Sequence, residues 1–99
     1  MIDTIYKKIM IINIKDLKNK IIYRANYRGT KEMDKLLGSF AKIFISQLTD
    51  DELLLLSDLL ELDDENLYKL NRGLEMTIKI ETNKVTELFQ NYDYINETL

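Results

Sequence analysis

The 99-residue sequence contains no cysteine, no histidine, no tryptophan and no proline. Without cysteine, disulfides and thiolate metal sites are excluded. Without histidine, the chain lacks the commonest general base and the commonest metal ligand. Missing tryptophan limits aromatic anchoring, and missing proline limits sharp turns. Arginine is also scarce: Arg24, Arg28 and Arg72 are the only three, against a larger stock of lysines spread along the chain. A net charge of −3 gives no electrostatic footprint for nucleic acid. Long hydrophobic runs are missing as well. The apolar stretch Ile9–Ile14 is broken at Asn13, short of the roughly 20 residues of a membrane span and of a secretory core of about 7–15 residues with its cleavage site. Nor does the N-terminus have the Arg- and Ser-rich character of a transit peptide. The expectation is a cytoplasmic chain without membrane insertion.

What is present is ordinary for a globular domain: 45% apolar and 31% charged residues. Length allows one domain, which buries roughly two-thirds of its unfolded surface. That suffices for a small core but not for a deep enclosed active site. We expect an N-terminal extension over residues 1–14, disordered or strapped over the core. A single helical-bundle domain over 15–92 and a loose tail over 93–99 complete the division.

Apolar spacing is helical through most of the chain. Leu17, Ile21 and Arg24 place a first helix from Lys15 to Tyr27, closed by Gly29. Met33, Leu36, Leu37, Phe40, Ala41, Phe44 and Leu48 form the clearest amphipathic stripe, in a second helix starting near Lys31. Gly38 inside it costs about 1 kcal/mol against Ala, which implies that another helix crosses closely there. Thr49-Asp50-Asp51-Glu52 reads as a capping box opening a third, leucine-rich and central helix through Leu62. Asp63-Asp64-Glu65-Asn66 opens a short fourth, with Leu67 and Leu70 inward and Gly73 closing it. Leu74 to Glu81 alternates apolar and polar residues. That is a strand pattern, but with no partner strand it predicts an extended connection lying on the bundle. A last helix spans about Asn83 to Tyr92. The fold class is therefore all-α: a compact bundle of about five short helices, with consecutive helices as neighbours.

Candidate chemistry is sparse. The acid pairs Glu32/Asp34, Asp50/Asp51 and Asp63/Asp64 stand at spacings that do not share a helix face, and they read as helix-start acids. Ser39, Ser46 and Ser57 have no histidine to activate them. No P-loop, GxGxxG or metal spacing is present. One segment stands out, Tyr23-Arg24-Ala25-Asn26-Tyr27-Arg28-Gly29-Thr30-Lys31-Glu32. It places two arginines, two tyrosines and a carboxylate around one helix–helix corner. Arg and Tyr are over-represented at binding hot spots, and glycine permits close approach of another surface. On residues alone two readings stand: a structural corner in which Arg28 and Glu32 pair, or a binding surface.

The stretch YRANYRGTKEMDKLLGSFA resembles the succinate dehydrogenase assembly factor 2 family, the bacterial FAD assembly factors once filed as antitoxin-like. The family's Arg-Gly-x-x-Glu hallmark is matched by Arg28, Gly29 and Glu32. Leu48–Leu53 and Leu59–Leu67 resemble two further family blocks, so the resemblance covers about residues 17 to 73. Asn66 and Leu70 depart from the family's usual Asp and Trp.

The resemblance implies a five-helix, non-enzymatic assembly factor; the residues leave its oligomeric state open, a monomer being the expectation and the apolar N-terminus the one feature suited to a dimer. Its partner would be the flavoprotein subunit of succinate dehydrogenase, and in some bacteria fumarate reductase. It would promote covalent attachment of FAD to a histidine of that partner, carrying no cofactor of its own. Arg28 and Glu32 would dock at the partner, Gly29 would allow close approach, and Tyr23, Arg24, Tyr27 and Asp34 would flank the contact. Such a helper needs no nucleophile or base, because its contribution is positioning. The alternative is a regulatory interaction module, such as an antitoxin binding a small toxin.

Overall fold

A computed structural model describes residues 2–93, with side chains from Asn13 onward. Five helices follow in order: α1 (Ile2–Asn26), α2 (Lys31–Phe44), α3 (Asp50–Leu59), α4 (Asp64–Arg72) and α5 (Lys84–Gln90). No strand occurs among the described residues. The expected all-α bundle is what forms.

Helix α1 begins at Ile2, not at Lys15. Nothing in the sequence stops it earlier, since the first glycine is Gly29 and there is no proline. The expected loose tail lies largely outside the described residues. Helix α3 ends at Leu59, before the expected Leu62. Residues 60–62 form a turn, and Asp63 is already extended as the N-cap of α4.

The caps follow the sequence signals. Thr49 Oγ1 accepts the amide of Glu52 at 3.3 Å, and Glu52 Oε1 accepts the amide of Thr49 at 2.9 Å. This is the expected capping box. Lys84 Nζ at the start of α5 lies 2.9 Å from the other Glu52 oxygen, tying two helix N-termini together. Gly73, with φ at 70°, is the left-handed residue that closes α4.

Helix α1 packs on α2 and α3, while α5 packs on α3 and α4. The core gathers Ile21 and Ala25 from α1, Leu37 and Phe40 from α2, Leu53 and Leu56 from α3, Leu67 from α4 and Phe89 from α5. Phe40 is its hub. Its ring centroid lies 4.9 Å from Phe44, 5.1 Å from Phe89 and 5.3 Å from Tyr92, in tilted and edge-on arrangements that aromatic rings favour. Gly38 is where α1 crosses α2, as expected: a Cβ there would collide with Asn26 Oδ1 at the end of α1.

Residues 74–83 form neither helix nor strand, bend at Thr77 and Ile78, and lie on the bundle. Met76 and Ile80 pack against the core, while Leu74 and Ile78 stay exposed. Buried Asn66 anchors this segment. Its Nδ2 donates to Asp63 Oδ1 at 2.7 Å and Thr77 Oγ1 at 2.9 Å, and its Oδ1 accepts the Thr77 amide at 2.9 Å. The Asn66 amide also holds the Asp63 carboxyl below its ordinary range.

Candidate functional site

The corner between α1 and α2 is built from three backbone devices. Thr30 is the N-cap of α2, its hydroxyl accepting the Met33 amide at 3.2 Å. Asp34, in the first turn of α2, reaches back to accept the amide of Arg28. Gly29 donates its amide to Asp64 Oδ2 at 2.8 Å. Gly29 is not in the left-handed region, which among the glycines only Gly73 occupies. Its lack of a side chain matters because the Asp64 carboxylate comes so close: a Cβ would stand 2.9 Å from Asp64 Oδ2.

Arg28 turns toward the protein. Its Nε donates to Asp64 Oδ1 at 2.8 Å, Nη1 to the Leu60 carbonyl at 3.0 Å and Nη2 to the Leu62 carbonyl at 2.8 Å. The side chain is 12% exposed. Those carbonyls lie just past the C-terminal end of α3, where helical carbonyls lack intrahelical partners and a cation is favoured. Asp64, in the first turn of α4, sits at the favoured acidic end. A planar guanidinium fork suits this three-acceptor cage, and a lysine could not span it. Arg28, Gly29 and Asp64 together staple the α1–α2 corner to the α3–α4 turn.

The other expected site residues divide. Arg24 is ion-paired with Glu61, adding a second link between the same two corners. Tyr23 and Tyr27 face outward, 65% and 69% exposed, with ring centroids 4.7 Å apart. Glu32 is exposed and makes no ion pair or hydrogen bond among the described residues. The Arg28–Glu32 pairing considered from sequence does not form; Arg28 pairs with Asp64 instead.

Asp64, Glu61 and the two carbonyls are the components sequence reasoning missed. The acidic block at 63–65 was visible, but only as a helix start. Glu32 also lines an open groove of about 510 Å³ between α2, α4 and α5, together with Leu36, Tyr68, Asn71 and Arg72.

Among the described residues no cluster of three or more acidic side chains is arranged to hold a metal, and no helix is long and apolar enough to cross a membrane. What the arrangement offers is a stiffened corner with aromatic and acidic groups turned to solvent, suited to noncovalent docking.

Comparison with known proteins gives the family. A family model described as the flavinator of succinate dehydrogenase matches residues 19–93. A curated protein of Dictyostelium discoideum, named succinate dehydrogenase assembly factor 2, mitochondrial, is 34% identical over 83 residues. That alignment takes in 83% of this chain but 58% of the relative, so the chain spans little more than half of that protein's length. No solved structure matches. The family match extends past the blocks seen in the sequence, through residues 74–83 and α5, and it gives nothing to the antitoxin reading. The chain belongs to the flavinator of succinate dehydrogenase family.

Proposed function

We infer that the chain is a non-catalytic helper that binds the flavoprotein subunit of succinate dehydrogenase, or of fumarate reductase, and promotes covalent attachment of FAD to that subunit. Family membership supports this reading. The observation that carries it into the structure is the stapled corner, which holds Glu32, Tyr23 and Tyr27 toward solvent with Glu32 uncompensated. Tyrosines at such sites supply large, stiff contact area.

The site residues take two roles in this reading. Glu32, Tyr23 and Tyr27 touch the partner. Arg28, Gly29 and Asp34 shape the corner that presents them, and Arg24 steadies it through Glu61. The reacting histidine and the flavin belong to the partner, in keeping with a chain that has neither histidine nor cysteine. Its contribution to rate is positioning: holding the partner in a geometry where flavin and histidine meet. The helper is monomeric, carries no cofactor of its own, and works in the compartment where the flavoprotein subunit folds, the cytoplasm in a bacterial cell.

The test is co-expression with the flavoprotein subunit and measurement of covalent flavin fluorescence on a denaturing gel. The wild-type chain raises the signal. Glu32→Ala lowers it with the fold intact, and Gly29→Arg abolishes it by driving a long side chain into Asp64. Undiminished flavin in both variants removes this assignment.

A further inference from the structure

Glu32 belongs to the motif corner, yet the groove it lines extends beyond that corner to α4 and α5. Arg72, on α4, lines the same groove. It is exposed and, like Glu32, has no ion-pair partner among the described residues. Its guanidinium carbon lies 5.5 Å from the centroid of the Tyr68 ring. A guanidinium resting over an aromatic face is partly ordered before any partner arrives.

Leu36, largely buried, also lines the groove. Asn71 braces one wall, its Nδ2 donating to the carbonyls of Phe89 and Tyr92 at 2.9 Å each. One groove therefore holds an exposed carboxylate, Glu32, and an exposed guanidinium, Arg72, neither of them ion-paired among the described residues, with Arg72 restrained on a tyrosine and the Asp93 carboxylate and Leu36 also in the lining.

We propose that this groove is a second docking element: it receives a polypeptide segment of the flavoprotein partner that presents a carboxylate to Arg72 and a lysine or arginine to Glu32. Charge complementarity selects that occupant. A segment without both charges would cover at least one unpaired charged group, which is costly. A small anion such as free FAD would gain at Arg72 but meet the Glu32 carboxylate. Arg and Tyr are also the side chains that dominate interface energetics. Arg72 and Tyr68 are thus specificity-determining contacts outside the Arg-Gly-x-x-Glu segment. The proposal rests on the flavoprotein reading above.

The test measures binding of the apo flavoprotein subunit to the immobilised full chain at about 50 and 300 mM salt, where Debye screening differs. The variants are wild type, Arg72→Glu, Arg72→Ala, Tyr68→Ala and Lys79→Glu. Lys79→Glu repeats the charge change at an exposed site outside this groove. Thermal unfolding checks that each variant folds; Arg72 and Tyr68 are surface residues, so their loss leaves the core in place. Arg72→Glu is expected to weaken binding at least tenfold at low salt, through slower association, with the gap narrowing at high salt. Tyr68→Ala weakens it several-fold, and Lys79→Glu stays within twofold of wild type.

If wild type binds and the Arg72 and Tyr68 variants bind equally well, the groove assignment is wrong while the flavoprotein reading stands. If wild type does not bind the subunit at all, the reading itself falls and the groove proposal with it. Titration of the chain with FAD alone should leave the backbone NMR signals of Tyr68 and Arg72 unmoved. A saturable shift there would reassign the groove to the nucleotide.

Discussion

Replacing Arg28 by methionine keeps much of the side-chain volume and removes the fork. Three hydrogen bonds are lost, to Asp64, Leu60 and Leu62. Bonds from charged donors are worth about 1.5–3 kcal/mol each, but the three cannot be summed. Arg28 is only 12% exposed while Asp64 is 30% exposed, so water can re-solvate the carboxylate more easily than the two carbonyls. The stranded carboxylate also sits near carbonyls that share its partial charge. A net loss of about 2–4 kcal/mol follows, below the 3–5 kcal/mol of breaking a fully buried pair. In a domain of this size that lowers Tm by about 10–20 °C.

Far-UV circular dichroism on heating, with urea unfolding for the free energy, measures the loss. Arg28→Lys should recover little of it, because a single ammonium cannot reach three acceptors. The double variant Arg28→Met, Asp64→Asn should be more stable than additivity allows, by at least about 1 kcal/mol. An Arg28→Met variant that melts within about 3 °C of wild type would refute the staple. Flavinylation adds a second axis: Arg28→Met loses activity together with stability, whereas Glu32→Ala loses activity alone.

Three further outcomes are expected. Gly38→Ala lowers Tm because its methyl meets Asn26, and adding Asn26→Ala restores stability to wild type or above, since alanine gains about 1 kcal/mol over glycine in a helix; continued loss in the double variant would place the clash elsewhere. The Glu52 carboxyl is held below its ordinary 4.5 by the Thr49 amide and then by Lys84. A depressed folded value means that this stabilisation is complete above about pH 4.5 and is lost as pH falls through the folded value. Glu52→Gln should therefore shrink the Tm difference between about pH 7 and pH 3, and an unchanged difference would sink the linkage. Finally, Asn66→Asp sets a carboxylate against Asp63, where the amide now donates at 2.7 Å. Tm should fall at neutral pH and recover on acidification; a loss independent of pH would point to Thr77 instead.

Much of the bundle was legible because its signals are local. The capping box at Thr49, the acidic opening of α4, Gly73 and the alternating segment after it all declare themselves within a few residues, and each lies where expected. Helix α1 was misplaced at its start because a broken apolar run looked like an interruption, although asparagine alone does not end a helix. The corner was found from residue types, but its inner wiring was not. Two of the Arg28 acceptors are backbone carbonyls, which carry no side-chain signature, and the third, Asp64, resembled an ordinary helix-start acid. Sequence could locate Arg28 and Glu32 together without revealing that one faces inward and the other outward.

The acceptors of Arg28 lie 32, 34 and 36 positions downstream of it. The motif edge therefore cannot be assembled by its own half of the chain. Its order is tied to helices that arrive later in the sequence, so it belongs to the globally cooperative unit and not to a segment that opens on its own. A damaged or truncated copy that lost α4 would keep the motif's letters and lose its shape. Under the proposed function, it would be silent toward the flavoprotein.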